Sequence, residues 1–176
     1  RAQGWDVDLH AHVRRGGRVL GICGGYQMLG QEISDPFGIE GAPRTVKGLG
    51  LLDVSTAMSP QKRLARTSAI FTPTGDPVEG YEIHLGVTKG PDCERPWLTI
   101  DGRPEGASSI NGLVKGCYLH GLFASDAFRR RFLDTGVESS LSYASDVEAV
   151  LDRLADHLEH HMDLDMLLEL AGPVSP

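Results

Sequence analysis

Thirteen residues constrain this chain more than any others: Arg18-Val19-Leu20-Gly21-Ile22-Cys23-Gly24-Gly25-Tyr26-Gln27-Met28-Leu29-Gly30. A short apolar run with strand character passes through Gly-x-Cys-Gly-Gly into a helix start. Strand, sharp turn and helix in that order form an elbow that holds a nucleophile up at the turn. Glycine is expected on both sides of Cys23 because a Cβ there would clash with a tight turn. A helix N-terminus brings partial positive charge up to an attacking sulfur. The free N–H of Gly24 points where an oxyanion would form. Cys23 is therefore the candidate nucleophile, against the plainer reading of a buried cysteine in a Gly-rich turn.

The other two cysteines, Cys93 and Cys117, form no C-x-x-C pair with it, and an odd, scattered set argues against a disulfide framework or a structural zinc site. Cys117 lies in an apolar run and reads as core. Cys93, between Asp92 and Glu94, reads as a poor nucleophile because neighbouring negative charge disfavours a thiolate. With 176 residues, 40% hydrophobic and 23% charged, the chain can bury one core and is too apolar for a disordered segment. Seventeen basic against 24 acidic residues give a net charge of −7, with no long basic block, so nucleic acid is not an expected partner. No apolar run could span a bilayer, and residues 1–8 lack the pattern of a signal peptide. A cytoplasmic setting without a membrane partner is expected.

Residues 2–15 read as a helix stopped by Gly16-Gly17, residues 18–22 as a buried strand, and residues 34–47, with Pro36, Gly38, Gly41 and Pro43, as a loop. Strands are expected over 49–55, 81–88, 97–100 and 113–119, the last two separated by a Gly/Pro/Ser-rich stretch. Over 81–88, Tyr81, Ile83, Leu85 and Val87 alternate with Glu82, His84, Gly86 and Thr88, giving one apolar and one polar face. Ser125 or Asp126 caps a helix carrying Phe128, Phe132 and Leu133. Ser145 with Glu148 makes a capping-box pattern ahead of Val147, Val150, Leu151, Leu154, Leu158 and Met162. That apolar stripe is expected to pack against the sheet. The whole describes an α/β sandwich with a partly mixed sheet in a single domain over residues 1–176, its elbow at 18–30 and its C-terminal helices at about 145–171. The strand at residue 18 leads straight into the elbow, and the chain is expected to be part of something longer.

A nucleophilic cysteine needs a base. Of seven histidines, His120 is favoured, at the end of an apolar strand beside Gly121, where active-site residues of open α/β sheets gather. His84 is the rival, since it shares a polar strand face with Glu82. His157, His160 and His161 at helical spacing read as a solvated face, as do Arg129, Arg130 and Arg131 on a short helix.

The elbow from Gly21 to Gly30 resembles the nucleophile segment of the cobyric acid synthase family. Gly48-Leu49-Gly50-Leu51-Leu52-Asp53-Val54, Gly80-Tyr81-Glu82-Ile83-His84 and Tyr118-Leu119-His120-Gly121-Leu122-Phe123 are similar to its later segments, in the same order. The resemblance covers nearly the whole chain. It implies a flavodoxin-like, class I-type glutamine amidotransferase fold whose N-terminal strands, with a Pro-Gly-Ser loop supplying part of the oxyanion hole, are missing here. It implies the glutaminase part of an enzyme that uses glutamine-derived ammonia and ATP to amidate adenosylcobyrinic acid a,c-diamide on the way to cobalamin. Cys23 and His120 inherit the catalytic roles; Gly24, Gln27 and Glu82 form the expected oxyanion and substrate-binding set. Leu122 stands where the common triad enzymes carry a glutamate, as in the cobyric acid synthase branch, so the dyad has no third member or Glu82 serves instead. No G-x-x-x-x-G-K-[ST] loop is present. Neither cofactor nor metal is expected in this segment; ATP and magnesium, like the corrinoid substrate, are implied for a synthetase domain outside it. The alternatives are the glutaminase domain of a related cobyrinate- or peptidoglycan-amidating enzyme, and a non-catalytic domain on the same fold.

Overall fold

The computed structural model of the protein describes residues 2–133 and 142–172. In chain order the first elements are α1 (Trp5–Arg14), β1 (Val19–Ile22), α2 (Gly24–Leu29), β2 (Glu32–Asp35) and β3 (Arg44–Lys47). A long hairpin follows, β4 (Ser55–Phe71) and β5 (Asp76–Lys89), and then five short strands. These are β6 (Leu98–Ile100), β7 (Arg103–Glu105), β8 (Ala107–Ser108), β9 (Val114–Cys117) and β10 (Leu119–His120). Three helices complete the described chain: α3 (Asp126–Leu133), α4 (Tyr143–His161) and α5 (Leu164–Ala171).

Two sheets result. In the smaller, β1 runs parallel to β9 with Ile22 opposite Cys117, and β8 adds antiparallel to β9. The larger has the order β10-β5-β4-β2-β3, with β6 on β4 and β7 on β6. Tyr118 carries the chain from β9 in one sheet to β10 in the other. Four consecutive residues, 117–120, therefore tie the strand beside Ile22 to the strand beside Tyr81.

Aromatic residues fill one core: Phe71, Trp97 and Phe128 pack edge-on or stacked, and the buried indole N–H of Trp97 is satisfied by Gly116 O at 2.9 Å. Tyr26 and Leu29 of α2 fill a second core with Leu52, Val54, Val114 and Tyr118. That core clamps the short helix after the elbow; six residues have too few internal hydrogen bonds to be stable alone.

Several segments differ from the sequence reading. Residues 34–47 are not a plain loop: β2 and β3 pair antiparallel within and beside them, and every residue of β3 is exposed, which erased the alternation that would have marked it. Residues 49–54 form no strand. Their N–H groups reach back to α2, Leu49 to Met28 O and both Leu51 and Leu52 to Leu29 O, so they satisfy carbonyls a helix C-terminus leaves open. β4 went unread because its middle, Gln61 to Arg66, is polar and mostly exposed, with burial alternating only towards its ends. The strand expected over 113–119 breaks at Tyr118.

The cap of α4 is Ser142, whose Oγ accepts from Ser145 N at 3.4 Å, rather than Ser145 itself. Its apolar stripe does not pack on the sheet: Val150, Leu151, Leu154 and Leu158 are exposed, and α4 buries no residue. Helical period shows that a helix has an apolar face, not what covers it. The Arg129 and Arg131 side chains are not simply solvated either, since they pair with Asp126 and Asp76.

Candidate active site

Cys23 stands between β1 and α2 at φ 53°, ψ −115°, a backbone conformation that side-chain-bearing residues rarely adopt. Two backbone bonds hold it there: its N–H donates to Cys117 O at 2.9 Å, and its carbonyl accepts from Gln27 N at 3.1 Å. The glycines around it serve two purposes. A Cβ on Gly21 would come within 2.5 Å of Leu29 and 2.7 Å of the Gly25 backbone, so the strand can approach the helix only without one. Gly24 and Gly25 would meet nothing within 4 Å, so the clash expected on both sides exists on one. On the other side, glycine leaves open space before the first amides of α2.

The sulfur lies over β5, with Sγ donating to Ile83 O at 3.4 Å. Gln27, one turn further along α2, donates through Nε2 to Tyr118 Oη at 3.3 Å and stands over Gly86, where a Cβ would approach Nε2 to 2.5 Å. Tyr118 Oη also bonds Thr88 at 2.6 Å, and Thr88 bonds Thr56 at 2.7 Å. Burial pushes the Tyr118 phenol up despite these bonds, so it stays neutral and can accept from Gln27.

His120 is paired directly opposite Tyr81, and the two rings stack with centroids 4.9 Å apart and planes within 7°. Its Nε2 is buried without a hydrogen-bond partner. An orphaned buried nitrogen costs free energy unless a functional partner supplies the bond. The structure thus brings the Cys23 elbow and His120 to the two ends of the 117–120 crossover, with no Cys23–His120 hydrogen bond in place.

Glu82 is on the other face of β5. It is 1% exposed, and its carboxylate accepts from Arg63 Nε at 2.5 Å and from Arg103 Nη2 through both oxygens at 2.7 Å. Burial opposes its charge, but hydrogen bonds and charge from Arg103 and Arg63 outweigh that and hold it below the usual carboxylate range. It does not orient His120, whose ring faces Tyr81. His84, which shares that strand face, is only a loose partner of Glu82, its Nε2 lying 3.8 Å from the carboxylate. His84 instead stacks on Tyr118 at 3.8 Å, and its Nδ1 donates to Gly86 O at 2.8 Å.

Cys117 is fully buried and its thiol is pushed up by burial. Burial also raises the Cys93 thiol and is the leading cause; a hydrogen bond with Tyr26 works against it, and negative charge adds less, from Glu105 and from Asp92, the one of the two sequence neighbours that contributes. Arg63, Arg103 and the Tyr81–His120 stack escaped the sequence reading. The alternation over 81–88 held the one available signal, since it put Tyr81 and Glu82 on opposite faces; nothing marked the arginines.

Strained cysteine elbow, crossover histidine and mixed sheets together have the form of a glutamine amidotransferase domain, and the chain belongs to the CobB/CobQ-like glutamine amidotransferase domain family, whose profile matches residues 1–128. It is similar to cobyric acid synthases. The enzyme of that name from Cereibacter sphaeroides is 61% identical over 173 residues, covering 97% of this chain and 36% of the relative. That from Ruegeria sp. is 61% identical over 176 residues, covering 99% and 36%. The Bradyrhizobium diazoefficiens protein is 57% identical over 176 residues, covering 97% and 36%. The chain thus spans 36% of the length of these relatives. No helix among the described residues is long and apolar enough to cross a membrane.

Proposed function

We propose that this domain releases ammonia from glutamine for a cytoplasmic cobyric acid synthase, with Cys23 as nucleophile and His120 as general base and acid. The Cys23 sulfur attacks the side-chain amide carbon of glutamine as His120 takes its proton. The Gly24 N–H receives the oxyanion, with Gln27 beside it. Collapse breaks the C–N bond, His120 returns the proton to the leaving ammonia, and water then cleaves the thioester to glutamate. Glu82 serves substrate binding through the two guanidinium groups it holds.

The observation that carries this reading is the Cys23 backbone, a strained elbow that presents a thiol over β5 with open space before Gly24. Strain of that kind persists where the surrounding fold over-determines it, and active sites are where it gathers. The remaining length of the relatives is where ATP, magnesium and the adenosylcobyrinic acid a,c-diamide substrate would be handled, and no step here runs through them. In the full-length protein, Cys23→Ser abolishes glutamine-dependent amidation and spares amidation from added ammonia. Glutamine-dependent turnover by that variant would sink the reading.

A further inference from the structure

The chain passes from one sheet to the other within four residues, and the thiol and the imidazole are carried by its two ends. The Cys23 N–H donates to Cys117 O at 2.9 Å, and His120 follows three residues later, in register with Tyr81. His120 Nε2 has no hydrogen-bond partner, so no carboxylate steers the ring through that nitrogen. Where the imidazole sits relative to the sulfur therefore depends on the backbone from Cys117 to His120.

The switch is made at Tyr118, which falls between the β9 and β10 ladders. Its N–H lies outside either ladder, and a buried amide without an acceptor is costly. Glu105 supplies the acceptor. This residue ends β7 and is 8% exposed; its Oε1 accepts the Tyr118 N–H at 2.9 Å, and its Oε2 accepts from Arg103 Nη1 at 3.1 Å. The end of β7 can come this close to β9 because the next residue is Gly106, at φ 82°. A Cβ there would lie 2.7 Å from Gly116 O and 2.6 Å from Trp97 Nε1. A hydrogen bond to a carboxylate is stronger than one to a neutral carbonyl. Glu105 thus grips the crossover at its midpoint, between the strand that holds the nucleophile and the strand that holds the base.

We infer that Glu105 is a positioning residue of the glutaminase site, fixing the crossover so that the His120 ring meets the Cys23 thiol. The inference rests on the glutaminase reading above and adds a side chain that acts through the crossover backbone rather than on the substrate.

The test is steady-state glutamine hydrolysis by the full-length protein carrying Glu105→Gln, Glu105→Asp or Glu105→Ala, each assayed below its own unfolding transition. Glu105→Gln keeps an oxygen at the same reach and loses the charge, and it retains kcat within about threefold. Glu105→Asp keeps the charge but withdraws the oxygen by one methylene, and its kcat falls further. Glu105→Ala removes the acceptor and lowers kcat about tenfold to a hundredfold, the scale of a small misplacement of catalytic groups, with KM within about twofold. Should Glu105→Ala not fold, the order of Glu105→Gln above Glu105→Asp decides the matter. A kcat for Glu105→Asp equal to or above that of Glu105→Gln, or a loss confined to KM, overturns the assignment and leaves the glutaminase reading standing. Undiminished glutamine hydrolysis by Cys23→Ser overturns both.

Discussion

Glu82→Gln removes the negative charge between two guanidinium groups while keeping the size of the side chain. Breaking a fully buried ion pair by neutralising one partner costs roughly 3–5 kcal/mol. Glu82 is buried, but Arg63 and Arg103 are 43% and 40% exposed and partly screened by water. The expected loss is therefore about 1–3 kcal/mol. For a chain of this size that lowers the unfolding midpoint by roughly 2–12 °C. The pH dependence has a definite sign. Arg103 and Arg63 hold the Glu82 carboxyl below its ordinary value of 4.5 in the folded state. Its contribution is thus complete above the unfolded value and lost as pH falls through the folded one. Calorimetry of the full-length protein and the variant should show a gap in the transition of this domain at neutral pH that closes in acid. Glutamine hydrolysis should fall at least about tenfold, equivalent to about 1.4 kcal/mol of barrier, because the two guanidinium groups held by Glu82 lose their common partner. Equal midpoints at neutral pH, or a gap that widens in acid, would refute the electrostatic account.

Two further outcomes follow from the site. Stacked aromatic pairs are worth about 0.5–1.5 kcal/mol, so Tyr81→Ala should lower kcat for glutamine hydrolysis about twofold to tenfold while Tyr81→Phe, which keeps the ring on His120, should not; an equal fall in both would show that the stack does not position the base. Under limiting iodoacetamide, peptide mapping should find Cys23 modified first, since burial raises the thiols of Cys93 and Cys117. Labelling of Cys93 at the rate of Cys23 would count against the elbow as the reactive centre.

What the sequence made legible follows from how local each feature is. The elbow could be read because strand, turn and helix are contiguous, and the structure adds the torsion that a glycine pattern only hints at. The alternation over 81–88 correctly divides β5 into two faces, yet it could not say that Glu82 would be taken up by arginines. Those partners come from β4 and β7, one with a polar middle and the other within a stretch read as loop. His120 could be placed at a strand end by its apolar run, but its stack on Tyr81 depends on antiparallel register, which is a property of pairing. The face of α4 was legible as apolar and not as exposed, since burial belongs to the partner as much as to the helix.

The torsion at Cys23 has a consequence for how such a chain would change over time. Glycine enters that region of backbone space freely, whereas a residue with a side chain is held there at a cost of about 1–3 kcal/mol. Selection for thermal robustness alone would put glycine at position 23, next to the glycines already at 24 and 25. Position 23 is thus a ratchet: one substitution there relaxes the scaffold and discards the thiol together. A descendant released from the need for ammonia would be drawn toward a sturdier, silent domain, and only continued demand for the chemistry keeps a sulfur at that turn.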